Sequence, residues 1–406
     1  MCSQDKQDVE LVQLLLAAAE KVSNQQFDKA IRLVSQCRNI ASCTSSPVQR
    51  AAFYFADALQ VRIERQTGRS GHEDDENDVK DGECLASRFN MVYVILHQTL
   101  PFSQVVKLSA KQTILYHVVT KPKVHLVDFY LRTGVQWSTL MQALSKRAAV
   151  ENCGQHYFRF TPIETTEKEK VEETGKRLQS FAAQSNLPFL FNVLNIPDPK
   201  HLKAEQVEIN ANEAVVIYAS FILRAMISKP LELESVMRAI TRLNPCVMVV
   251  QEVEANLNSP SFVHRFIDAL FYYSAYFDAL EDTMRCDDQH RASIEAGSIL
   301  DGIHNIVAAE GRERVTRSVS LQSSISYDDI DCVLIPSSTH KVDEMGAQES
   351  FLTTSPMMPL QGFYMVPQRN VHFNQVWSRV YGTGNIELNQ NMSQSNQFFG
   401  SNVPHM

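Results

Sequence analysis

The stretch Lys123-Val-His-Leu-Val-Asp-Phe-Tyr-Leu-Arg-Thr-Gly-Val-Gln-Trp137 decides how the rest of the chain is read. Val124 to Phe129 is a short apolar run with a carboxylate, Asp128, near its end. It reads as a strand buried in a parallel sheet. Gly134 sits in the turn that follows. From Trp137 to Arg147 the pattern becomes helical, with Trp137, Leu140, Met141 and Leu144 three or four residues apart on one face. Strand, acid, glycine turn and helix form the opening unit of a doubly wound sheet, so the expected fold class is α/β. In an enzyme of that class the loop after this strand holds a nucleotide.

Upstream lie three amphipathic helices. Leu11, Leu14, Leu15, Ala18, Ala19 and Val22 recur at helical spacing, and Phe27, Ala30, Ile31 and Val34 do the same. Ser46 and Pro47 read as N-cap and first helical residue of a third stripe through Val48, Ala51, Ala52, Phe55 and Leu59. Core packing is the ordinary role of such stripes. The functional alternative is a docking face for another chain, centred on Leu11, Leu14, Leu15, Phe55 and Leu59. Gly68 to Gly82 is polar and acidic and is expected to be a loop. Leu85, Phe89, Val92, Tyr93 and Leu96 resume a helix that Pro101 ends. A further helix, with Ile114 and Val118 on one side, leads into the central strand.

Downstream of Arg147, strands and helices alternate. His156 to Ile163, Pro188 to Leu194, Glu213 to Ala219 and Cys246 to Val253 read as strands. Helices are expected on the face Val171, Thr174, Leu178, Phe181 and Ala182, over Leu231 to Leu243, and over Pro260 to Leu280 and Arg291 to Ala309. Asn244-Pro245 stops the second of these. From Ser318 the composition turns to Ser, Thr, Asp and Met, and the chain ends in an Asn-, Gln- and Ser-rich segment expected to be disordered.

Composition narrows the function classes. A formal charge of -8 argues against a general polyanion binder, since neutralising phosphates needs clustered Lys and Arg. The eight cysteines form no Cys-x-x-Cys pair, so no zinc ribbon or finger is expected, and free thiols fit a reducing compartment. No apolar run is long enough to span a bilayer, no signal peptide is read at the start, and no membrane partner is expected.

Val124-His125-Leu126-Val127-Asp128, followed by Gly134-Val135-Gln136-Trp137, resembles the VHIID motif of the plant GRAS proteins. Leu11 to Glu20 and Pro47 to Leu59 resemble the family's first leucine-rich region. Leu243 to Asn256 with Phe262 to Ser274 resembles its PFYRE region. Asn305 to Arg317 resembles the opening of its SAW region, with Thr316 where an acidic residue is usual. The resemblance runs from about residue 9 to about residue 317. It implies a Rossmann-like (methyltransferase-like) core with a mainly parallel sheet and an N-terminal helical cap. Residues 1–317 would then be a GRAS domain, divided into a cap over 8–100 and an α/β core over 101–317, followed by a divergent, largely disordered tail over 318–406. The feel is closest to the DELLA-related group, but the hormone-responsive DELLA motifs are not found, so recognition through them is not implied.

The same resemblance implies a transcriptional regulator in a plant nucleus, with the cytoplasm as a second compartment. It would bind transcription factors or other GRAS proteins and form homo- or heterodimers, with direct DNA contact left open. The alternative is an S-adenosylmethionine-dependent methyltransferase, or a small-molecule-binding relic of one. Against it, the turn after Asp128 has one glycine and places Leu131 and Arg132 where a cofactor needs close backbone approach. Glu252 and Glu254 close a strand without an assignable His or Cys partner. No elbow, phosphate loop or zinc-protease motif is found. The reading is therefore of a non-enzyme with no cofactor and no metal. Its motif residues are Val124, His125, Leu126, Val127, Asp128, Gly134, Gln136 and Trp137.

Overall fold

The computed structural model describes residues 3–68, 95, 100–131, 133–151, 157–164, 168–253, 255–285, 288–318 and 332–336. Several expectations lie outside these residues: the acidic loop Gly68 to Gly82 beyond its first residue, the helix through Leu85 to Leu96 apart from position 95, Arg132, Glu254, and the tail from 319 onward save 332–336.

Three helices open the chain: α1 (Ser3–Ser23), α2 (Phe27–Ile40) and α3 (Pro47–Thr67). The start of α3 follows its capping chemistry. Ser46 Oγ accepts the backbone N–H of Gln49 at 3.4 Å, and Pro47, which has no N–H to leave unpaired, occupies the first turn. Gly68, in the left-handed region at φ 67°, ends the helix. Helix α4 (Pro101–Val118) then leads into strand β1 (Lys123–Asp128).

Beyond β1 come α5 (Val135–Glu151), β2 (Tyr157–Glu164), α6 (Lys168–Gln184), β3 (Phe189–Phe191) and β4 (Leu194–Asn195). Next are β5 (Ala214–Ser220), α7 (Pro230–Arg242), β6 (Val247–Glu252) and α8 (Phe262–Thr283). The last helical stretch is α9 (Asp288–Ile294), a π turn over Glu295–Ile299, and α10 (Leu300–Val307). The sequence suggested one continuous helix there. Strand β7 (Cys332–Pro336) falls in the region expected to be disordered, and it pairs with β6.

The strands lie in the order β3-β2-β1-β5-β6-β7, with β4 paired to β2, and every pairing is parallel. Strand β1 is central. Lys123↔Tyr157 begins its register with β2, and Val124↔Ala214 begins its register with β5. Its side chains alternate between two apolar layers. Val124 and Leu126 pack with α4, α5 and α6, and Val127 packs on the opposite face with α7. A run buried on both faces explains why this strand reads as almost continuously apolar.

The third and largest apolar cluster contains no strand residue. It joins α1, α2 and α3 to α8, α10 and the turns around them, so the cap expected over 8–100 is closed by helices from the far end of the chain. Phe55 meets Phe266 edge-on at 5.4 Å, and Tyr54 stacks on Phe277 at 5.7 Å. Buried arginines clamp the same interface. Arg50 Nε donates to Glu295 Oε1 at 2.9 Å and Arg50 Nη1 to Glu281 Oε2 at 2.9 Å. Arg62 Nη1 donates to the Val307 carbonyl at 3.0 Å, with its guanidinium 3.9 Å from the Phe262 ring centre. Arg62 and Arg265 both pair with Glu310.

This arrangement corrects the expected fold class. The expectation was α/β, Rossmann-like and methyltransferase-like. In the described residues, helix outnumbers strand several-fold, and the largest core is built from helices and the turns around them, without a strand residue. The fold is predominantly α-helical. The physical reason is that the stripes of α1 to α3 close on α8 and α10 rather than on the sheet, so the cap is no appendage to an α/β core. Arg50 and Glu295 are both completely buried, so removing one strips the other of its nearest buried partner and leaves only the flanking Glu281 or Arg291 to offset its charge. Arg50→Leu is expected to cost about 3–5 kcal/mol in urea unfolding, and adding Glu295→Leu to recover part of that loss.

Candidate functional site

Strand β1 ends at Asp128, which is completely buried. A carboxylate out of water needs donors, and the turn that follows supplies two. Asp128 Oδ1 accepts the backbone N–H of Tyr130 at 3.0 Å, and Oδ2 accepts the indole Nε1–H of Trp137 at 2.9 Å. Gly134 makes the second contact reachable. It sits at φ +68°, and a Cβ there would lie 2.8 Å from Thr174 Cγ2, so conformation and space both call for glycine. The Trp137 N–H bonds the Gly134 carbonyl at 2.9 Å and starts α5.

Trp137 is only 1% exposed. Its ring meets Tyr218 of β5 edge-on at 4.9 Å and Phe160 of β2 at 5.9 Å. The Tyr218 hydroxyl donates to Gln251 Oε1 of β6 at 2.8 Å. The indole thus links side chains of β1, β2 and β5, and Tyr218 carries the link on to β6. Doubly wound sheets hold ligands outside the carboxyl ends of their strands, where the strand order reverses. At that position this chain packs its own Leu131, Trp137 and Tyr218 into one apolar cluster.

His125 is also completely buried. Its Nε2 lies 2.8 Å from Thr161 Oγ1 and its Nδ1 lies 3.4 Å from Glu213 Oε2. Burial pushes the imidazole down to about 4, with Glu213 opposing and Arg159 adding to the shift. It is therefore neutral at physiological pH and acts as a polar tie between β1 and β2. Arg159 continues the network by donating to Glu208 Oε2 at 2.7 Å. Gln136 is buried, and its carbonyl accepts the Thr139 hydroxyl at 2.9 Å.

Of the motif residues, Val124, Leu126, Asp128, Gly134 and Trp137 meet on one side of the sheet, whereas Val127 packs on the opposite face, His125 ties to Thr161 and Glu213, and Gln136 is buried in the first turn of α5. The residues suggested for docking fall elsewhere. Leu11, Leu15, Phe55 and Leu59 are buried inside the helical cap, and Leu14 is partly buried against it. Their stripe is taken up by intramolecular packing. Glu252 is buried at the end of β6, where burial pushes its carboxyl up to about 7, and its Oε1 accepts the Arg224 N–H at 3.1 Å. Among the described residues, no group of three or more His, Cys, Asp or Glu side chains is placed to hold a metal ion. Sequence reading missed Tyr218, Gln251 and Arg159. Their signal was a polar group within each otherwise apolar strand, since buried polar groups need partners.

Burial raises the Asp128 carboxyl from 3.8 to about 6, outweighing its two N–H donors. A folded pKa above the unfolded value means a contribution to stability that is complete below about pH 4 and lost as pH rises through about 6. Asp128→Asn removes that titration. The unfolding free energy of the wild type relative to Asp128→Asn is expected to fall by about 3 kcal/mol between pH 4 and pH 7, as read by urea titration at each pH. A constant difference across that window would show that Asp128 does not titrate there.

Comparison with known proteins assigns this arrangement. The model of the GRAS domain family matches residues 11–323. DELLA protein GAI1 of Vitis vinifera is 30% identical over 320 residues, covering 77% of this chain and 51% of that protein. DELLA protein RGL3 of Arabidopsis thaliana is 32% identical over 315 residues, covering 77% and 57%. The chain thus spans about half the length of the curated relatives it matches. The crystal structure of SCL7 from Oryza sativa superposes with a TM-score of 0.66 at 27% identity, over 77% of this chain and 82% of that one. That likeness completes the correction of fold class, because the matching fold is a predominantly helical GRAS-domain fold and not a methyltransferase one. With the family's pattern extending over most of its length, the chain belongs to the GRAS family.

Proposed function

We propose that this chain regulates transcription in the plant nucleus by binding other proteins, namely transcription factors or further GRAS chains. The observation that carries the reading is the family match over residues 11–323. A physical argument supports it: the position where an α/β enzyme would hold its cofactor is packed with Leu131, Trp137 and Tyr218. The motif from Val124 to Trp137 is then a positioning device. It fixes the order of strands and helices, and with it the surfaces that partners meet. Residues 1–317 act as one unit in this reading, because α3 and α8 share a core. The net charge of -8 favours protein partners over direct contact with DNA.

The test is the full chain fused to a heterologous DNA-binding domain in plant protoplasts, beside a two-hybrid screen. The expected outcome is a several-fold change in reporter output and recovery of transcription factors or GRAS proteins. An unchanged reporter with no such partner, alongside tight S-adenosylmethionine binding by titration calorimetry, would overturn the proposal.

A further inference from the structure

The sheet ends at β3, and among the described residues no strand pairs with its outer side. The bonding phase shows what that side offers. Phe158 N–H bonds the Pro188 carbonyl at 2.9 Å and Asn192 N–H bonds the Phe160 carbonyl at 3.0 Å. Residues 188, 190 and 192 therefore face β2, and the N–H and C=O groups of Phe189 and Phe191 point outward. An open strand edge is normally blunted by charge, proline or a covering element. This one reads Phe189-Leu-Phe-Asn-Val-Leu194, without a charged residue, and all six are partly exposed.

A groove of about 620 Å³ runs along this edge. Phe191 forms its floor, and Lys168, Glu172, Lys176 and Gln179 of α6 form its wall. Gly175 lets the helix close onto that floor: a Cβ there would lie 2.3 Å from the Phe191 ring. Lys168 is neutralised by Glu172 at 3.7 Å. Lys176, which also lines the groove, has no carboxylate within 4.0 Å among the described residues.

The geometry points to β3 as a docking edge for an extended segment of a partner protein, which adds a strand to Phe189 and Phe191 and sets a carboxylate against Lys176. Main-chain bonds supply the affinity in this mode of recognition, and alternate side chains supply the selectivity. On the α6 side the segment carries an apolar residue over Phe191 and an Asp or Glu two positions away. On the other side it carries β-formers. The charge of Lys176 and the uncharged edge select this occupant.

The test uses the full chain and a fluorescein-labelled peptide, acetyl-Thr-Val-Thr-Asp-Thr-Val-Thr-amide. Saturable binding by anisotropy is expected, together with slowed amide exchange at Phe189 and Phe191. Lys176→Glu should weaken binding by about tenfold, the loss of one charge-assisted contact, without changing the thermal melt. Methylation of alternate peptide nitrogens should abolish binding. Three results would overturn the inference: no binding, binding without protection at Phe189 and Phe191, or amides there already protected in the free chain, which would mean that the edge is covered by the chain itself.

Discussion

A carboxylate at the end of the central strand has to be satisfied without water, and the surrounding fold is arranged to do so. Asp128 is completely buried, and its two donors come from the turn and the helix that follow it. The indole that serves it is a large side chain, so placing its N–H also places an aromatic ring against β2 and β5. Removing the ring would leave both a void and a buried acid with only the Tyr130 N–H as donor, two costs that fall on the same few residues. The left-handed Gly134 and the close approach of Thr174 follow from the need to bring Trp137 back over the strand. The position where an α/β enzyme cradles its cofactor is here a lock between sheet and helix.

The second constraint joins the two ends of the domain. Helices α1 to α3 bury their stripes against α8 and α10, residues far away in sequence. Arg50, Arg62 and Arg265 reach the carbonyls and acids at that interface. Such contacts are charge-assisted and directional, so they fix which helices meet as well as how strongly. The open edge at β3 lies on a different part of the molecule, where the sheet offers backbone groups and few charges.

Local features were legible in the sequence where local physics decides them. Ser46 and Pro47 start a helix where their capping chemistry places it, and Val124 to Asp128 is a central strand because an apolar run of that length has nowhere else to go. Asp128, Gly134 and Trp137 assemble because they lie close together along the chain. Long-range pairing was not legible. Nothing in the stripe of Leu11, Leu15, Phe55 and Leu59 tells whether its cover is a partner or α8, and it proved to be α8 and α10. Arg50 and Arg62 look like surface charges on amphipathic helices until Glu295 and Glu310 are placed beside them. The fold class was misjudged for the same reason: alternation of strand and helix is visible locally, whereas the helical cap that outweighs the sheet is assembled from distant segments. The π turn at Glu295–Ile299 and the brevity of β3 left no periodic trace.

The central claim is that Trp137 and Asp128 lock the end of β1 through one buried hydrogen bond. The chain has two tryptophans, so Trp377→Phe leaves a single indole to follow by proton–nitrogen NMR. The account predicts an indole N–H that exchanges with solvent far more slowly than free indole, and whose resonance shifts with a midpoint near pH 6 as Asp128 ionises. An indole N–H that exchanges at the rate of free tryptophan, with no titration between pH 4 and pH 8, would contradict it.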